Sequence, residues 1–137
     1  MRVAFGTDER TAVSDVLAAA LATDGHEIVL RVEDAPWPDV GRQVGEAVAA
    51  GDAERGVVCC WTGTGVSIAA NKVPGVRAAL CTDAETARGA RRWNDANVLA
   101  VGLRLTSPVV AQELLDAFFA TEADAGEAEN IAKLADG

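Results

Sequence analysis

VVCCWTGTGVSIAANK, residues 57–72, is the stretch whose reading decides how this chain folds. Residues 57–60 are a short apolar run suited to a buried strand. A loop with two glycines and three hydroxyls follows, and 66–71 then carries helical spacing. Working outward, the same alternation of short apolar runs and alanine-rich helical segments fills the chain. Strands are expected at 1–6, 26–32, 76–81 and 98–101, and helices at 12–23, 40–50, 84–92 and 108–120. Val13, Val16, Leu17, Ala20 and Leu21 share one face of the first helix, and Val44, Ala47 and Val48 one face of the second. Ser107 and Pro108 read as the N-cap and first residue of the last helix. The strand runs are continuously apolar rather than alternating, which favours a parallel sheet covered on both faces and reached by right-handed crossovers. The expected fold is therefore α/β, a three-layer αβα sandwich around a five-stranded parallel sheet of Rossmann-like type. One domain spans 1–137. Its C-terminal tail, 122–137, is acidic, with Ile131 and Leu134 as its apolar residues, and reads as a helix docked on a neighbour or as frayed.

Composition narrows the partners. With 12 Lys plus Arg against 21 Asp plus Glu, the net charge of −9 repels phosphate backbones and anionic lipid surfaces. Neither nucleic acid nor membrane is an expected partner. The sequence opens on no leader pattern and holds no apolar run near the roughly 20 residues that a span needs, so a cytoplasmic protein is the expectation. Cys59, Cys60 and Cys81 are odd in number, lack a C-x-x-C spacing and share the chain with one histidine, His26. Reduced thiols, with no disulfide framework and no metal, are the simpler reading.

In an open parallel sheet, ligands bind beyond the carboxyl ends of the strands. Three such ends carry polar groups: Gly6 to Glu9, Cys60 to Ser67, and Cys81 to Asp83. Gly63 and Gly65 permit close backbone approach, and the N–H groups from Thr64 to Ser67, at a helix start, form an anion hole. It suits a phosphate, a carboxylate or the oxyanion of an enediolate. Cys60 beside those amides is placed as a base or nucleophile, because a thiolate is favoured there. The bland alternative is two small core residues; adjacent strand residues face opposite sides, so only one need be functional.

Residues 57–78, with Val3 to Asp8 at the start and Asn94 to Gly102 near the fifth strand, resemble the ribose-5-phosphate isomerase B family, which includes the galactose-6-phosphate isomerase subunits. The resemblance implies a homodimer with sites at the subunit interface, acting on a small molecule without a metal or organic cofactor. It also implies sugar-ring opening and proton transfer between two carbons through a cis-enediolate. Cys60 then stands at the position of the base, and Gly63, Thr64, Gly65, Val66 and Ser67 at that of the oxyanion amides. Thr62 matches a residue assisting ring opening, Asp8 a carboxylate binding sugar hydroxyls, Asn94 a contact from the partner subunit, and Arg104 a phosphate-binding arginine.

The chain departs from that pattern at several points. Glu9 replaces a histidine after the first aspartate, and Trp93 replaces the ring-opening histidine. Glu127, Ala128, Glu129 and Asn130 fill the region of the C-terminal phosphate arginines. All three tryptophans, Trp37, Trp61 and Trp93, fall at family site positions in a chain without tyrosine, which suggests a pocket relined with aromatic surface; core filling is the competing account of each. The leading reading is an aldose–ketose isomerase for a sugar or sugar-like substrate with Cys60 as base and Glu9 as an available acid or base. The alternatives are an epimerase, tautomerase or eliminating enzyme on a specialised metabolite, and a catalytically silent binding or partner subunit. His26 reads as an exposed turn residue, Arg88, Arg91 and Arg92 as helix surface or structural, and Lys72 as a cation at a helix end.

Overall fold

The computed structural model describes residues 1–136; Gly137, the last residue of the expected tail, lies outside the described residues. Five strands, β1 (Arg2–Thr7), β2 (Glu27–Glu33), β3 (Arg55–Cys60), β4 (Ala78–Leu80) and β5 (Val98–Gly102), pair in parallel in the order β2-β1-β3-β5-β4. The helices are α1 (Ala12–Thr23), α2 (Trp37–Ala49), α3 (Thr64–Asn71), α4 (Ala84–Asn94), α5 (Pro108–Ala120) and the short α6 (Ala128–Ala132). The expected α/β sandwich is thus the observed architecture.

Alternation along each strand divides the core into two layers. Val3, Phe5, Val57, Cys59, Leu99 and Val101 face α1, α4 and α5, meeting Leu17, Leu21, Ala87, Leu114 and Phe118. Ala4, Val58, Cys60, Val98 and Ala100 face α2 and α3, meeting Val40, Val44, Val66 and Ala70. Full burial of each Val, Leu or Phe side chain among them is worth about 1.5–3 kcal/mol. The chain changes face when it changes direction across the sheet. The leftward steps, β1 to β2 and β4 to β5, run through α1 and α4, and the rightward steps through α2 and α3, as right-handed crossovers require.

Local chemistry moves several boundaries from their expected places. α2 begins at Trp37, not residue 40, because Pro38 fits a first helical turn whose N–H groups have no acceptor anyway. β4 covers only 78–80. Val76 turns back to the Val73 carbonyl, and the Asn71 amide occupies the edge of Ala78, accepting from its N–H at 2.8 Å and donating to its carbonyl at 3.0 Å. α4 runs on to Asn94, and α3 starts at Thr64. The tail is no long docked helix: two 3₁₀ turns, Ala125–Glu127 and Lys133–Asp136, flank α6, and no residue of 125–132 is buried. No helix among the described residues is long and apolar enough to cross a membrane. His26 is half-buried rather than exposed, stacking on Phe119 at 4.5 Å between ring centroids.

Candidate active site

The strand order reverses between β1 and β3, which opens a crevice beyond their carboxyl ends. Asp8 and Cys60 flank it: Thr7 pairs with Cys59, and the Asp8 N–H donates to the Cys59 carbonyl at 3.2 Å. The two cysteines divide as alternation demands. Cys59 is sealed against α1 and α5, and burial drives its thiol far up, out of the range where a thiolate forms. Cys81 is likewise buried and pushed up to about 11. Cys60 is on the α2–α3 side, last in its strand and directly ahead of the glycine loop.

That loop is held by backbone packing. Gly63 has φ 77°, and a Cβ there would lie 2.5 Å from Leu80 Cδ1 and 2.8 Å from the Gly102 nitrogen. Only glycine admits both the left-handed turn and the contact. The turn starts α3 directly after the strand, and as first-turn groups the N–H groups of Thr64, Gly65 and Val66 have no backbone acceptor among the described residues. Ser67, also expected in the anion hole, is a correction: its N–H closes the first turn on the Gly63 carbonyl at 3.3 Å. The Thr62 and Thr64 hydroxyls bond each other at 2.8 Å across the loop.

Other groups converge on this end of the sheet. A Cβ on Gly65 would meet the Trp37 ring at 2.9 Å, so the first turn of α2 lays an indole along the start of α3. Trp61 is 52% exposed, and its carbonyl accepts from the Arg104 N–H at 2.8 Å. The exposed Arg104 side chain forms no ion pair among the described residues. Asp8 carries a buried Oδ1 without a hydrogen-bond partner, and desolvation raises its pKa above the ordinary carboxylate value. An oxygen aimed nowhere in a half-buried carboxylate fits a group that a ligand hydroxyl completes. Glu9 is exposed, with its carbonyl accepting from the Thr7 hydroxyl. Among the described residues no three His, Cys, Asp or Glu side chains gather to hold a metal ion.

Trp93 and Asn94 do not join this group. They end α4, ahead of the amino end of β5, whereas Cys60 pairs with Gly102 at its carboxyl end. Crossing β5 alone covers about 13 Å at the usual strand rise. Trp93 folds back on its own helix, over Gly89. A hollow of about 630 Å³ is at this far end, with Lys72, Arg77, Asn94 and Lys133 on its walls. Arg91, expected to be structural, is 4% exposed and binds Asp95, which Arg77 also holds. The sequence reading gave Asp95 and Arg77 no role; a helix ending at an Asn-Asp pair without glycine was the available signal.

A family model described as Ribose/Galactose Isomerase matches residues 3–134. Ribose-5-phosphate isomerase B of Escherichia coli is 35% identical over 130 residues, which cover 91% of this chain and 87% of that one. D-erythrulose-4-phosphate isomerase of Pectobacterium atrosepticum is 40% identical over 94 residues, 69% of this chain and 62% of that one. Among solved structures, ribose-5-phosphate isomerase B of Clostridium thermocellum superposes with a TM-score of 0.92 at 35% identity, over 99% of this chain and 96% of that one.

Proposed function

Because the chain belongs to the ribose/galactose isomerase family and is accordingly an aldose–ketose isomerase, we propose that Cys60 is its proton-transfer base and that its substrate is a short sugar phosphate that stays open-chain. The observation carrying this reading is the junction of Cys60 with the Gly63 turn, which presents three N–H groups without backbone acceptors beside the thiol. The Cys60 thiolate takes the proton from the carbon next to the carbonyl, and the electron pair moves to the carbonyl oxygen. The N–H groups of Thr64, Gly65 and Val66 stabilise that oxyanion. Glu9, exposed beside the crevice, moves the hydroxyl proton between the two oxygens, and the Cys60 thiol returns its proton to the neighbouring carbon. Asp8 holds a hydroxyl of the chain through its unpartnered Oδ1.

Trp93 favours an open-chain substrate, since an indole has no basic nitrogen to open a ring. A tetrose phosphorylated on its terminal oxygen cannot close a five-membered ring, so it needs no ring opener, and one relative acts by name on D-erythrulose 4-phosphate. Arg104, without an ion pair among the described residues and on the loop bound to Trp61, suits the phosphate. Trp37 and Trp61 supply apolar walls. Thr62 and Thr64, already bonded to each other, orient the substrate from the loop. Trp93 and Asn94 reach a Cys60 only from a second copy, which makes the homodimer part of the reading. Three unbridged, buried cysteines suit a reducing cytoplasm.

Proton NMR in D₂O with tetrose and pentose phosphates and free sugars tests the assignment. Deuterium should enter next to the carbonyl of the tetrose phosphates, and Cys60→Ala should slow it by about 10²–10⁴-fold, the worth of a positioned base. Exchange that survives in the variant removes Cys60 from the mechanism, and exchange confined to ring-forming pentose phosphates removes the open-chain substrate.

A further inference from the structure

Asp95 has a backbone that few residues accept, with φ 46° in the left-handed region directly after α4. Its atoms are unusually well held. Arg91 Nη1 donates to Oδ1 at 2.8 Å, Arg77 Nη2 to Oδ2 at 3.3 Å, and Arg77 Nε to the main-chain carbonyl at 2.8 Å. Both arginines are themselves anchored. Arg91 also donates to the carbonyls of Ala96 and Thr121 and rests over the Phe118 ring, while the Arg77 N–H donates to Asn97 Oδ1 at 2.7 Å. The two residues just before Asp95 contrast with it. Trp93 is half exposed, and the Asn94 amide makes no hydrogen bond among the described residues. A rigid clamp thus ends where a half-exposed indole, resting on Gly89, and an unbonded amide begin.

We propose that Asp95 is a positioning residue, held between Arg77 and Arg91, which fixes Trp93 and Asn94 in the orientation that they present to the partner's site. The clamp ties the end of α4 to the approach to β4 and, through Arg91, to the end of α5. The three elements therefore move together, and Asn94 is carried with them. Reaction rates are steep in such placement, since a misplacement of about 1 Å can cost about 10²-fold. The inference rests on the cross-subunit reading above, and its test separates the two.

Asp95→Asn keeps the shape and removes the charge that both arginines bind. In a background of Trp37→Phe and Trp61→Phe, the fluorescence anisotropy of Trp93 should fall and its quenching by acrylamide should rise. The same Asp95→Asn change in the otherwise native chain should lower kcat/KM for a tetrose phosphate by about 10–100-fold. Mixed and refolded with Cys60→Ala, it should recover about a quarter of the native activity, because half of the dimers are mixed and each holds one intact site of two. Asn94→Ala mixed with Cys60→Ala is the control. If the control recovers and the Asp95→Asn mixture does not, the damage lies in the residue's own subunit and the positioning role is overturned. If the control itself fails, the cross-subunit reading falls, while the anisotropy still decides the clamp: an unchanged Trp93 overturns it. Should Asp95→Asn fold poorly, Arg77→Lys, which keeps the charge and loses the Nε bond, carries the same expectations.

Discussion

Asp8 and the cysteines show how burial sorts groups of similar chemistry at the residue scale. Cys59 and Cys60 are neighbours in sequence, yet pleating sends them into opposite core layers, the second directly ahead of the glycine loop. Burial penalises a thiolate at Cys59 and Cys81, which argues against either as the base. Asp8 is the costly counterpart: its Oδ1 is desolvated without a partner, and its pKa is raised in the folded state. A raised carboxylate pKa means that the folded state binds the proton more tightly than the unfolded one. The stability it supports is present at low pH and is lost as pH rises through the folded pKa. Asp8→Asn should therefore melt higher than the native protein at pH 8, with the gain shrinking toward pH 4. Activity should fall by about 10–100-fold, the worth of one charge-assisted hydrogen bond of about 1.5–3 kcal/mol. Equal melting temperatures across that pH range would contradict a desolvated Asp8, and full activity would remove it from the site.

At the scale of elements, the loop from Trp61 to Gly63 does for the site what no side chain does alone: it turns the end of β3 into the start of α3 without using the first N–H groups. An alanine at Gly63 must adopt a left-handed backbone, costing about 1–2 kcal/mol, and must displace Leu80 or the Gly102 backbone, costing about 1–3 kcal/mol more. Gly63→Ala should thus lose at least about 2 kcal/mol in denaturant unfolding and most of its activity; a loss under about 0.5 kcal/mol would show that the turn has another way to form. This turn was legible in the sequence, as were the bounds of α1 and α5, because glycine, caps and periodicity act locally. The start of α2 at Trp37 was missed because a proline inside the first turn looks like a breaker until the helix direction is known. The short β4 was missed because Asn71, seven residues away, covers its edge at Ala78. Ser67 was assigned to the anion hole because the sequence does not say on which residue the first helical hydrogen bond closes. The separation of Trp93 and Asn94 from Cys60 was legible too, because in a parallel sheet residues that precede a strand lie at the opposite end from residues that follow one.

For the whole molecule, that separation becomes a constraint on assembly. If Asn94 completes the partner's site, as proposed above, a two-fold pair must bring each Asn94 to the partner's Cys60, and the same surface must serve both copies. Among the elements, α3 links the two ends: Thr64 starts it beside the Cys60 loop, and Asn71 finishes it in the hollow that Asn94 also lines. An axis passing near the middle of α3 exchanges these ends between copies. Ile68 stands at that midpoint and is 59% exposed, an apolar side chain left to water on a helix whose other face packs on α2. With the axis there, Ile68 would face its own copy, and a cation in its place would meet another cation across a desolvated contact, a juxtaposition that costs several kcal/mol. On that reading Ile68→Lys should run as a monomer by light scattering at micromolar concentration, keep its circular dichroism, and lose about 10²-fold or more in kcat/KM, because each site would then lack the partner's Asn94. A variant that stays dimeric and active would move the interface to another face, and a monomer with native activity would show that one chain carries a complete site.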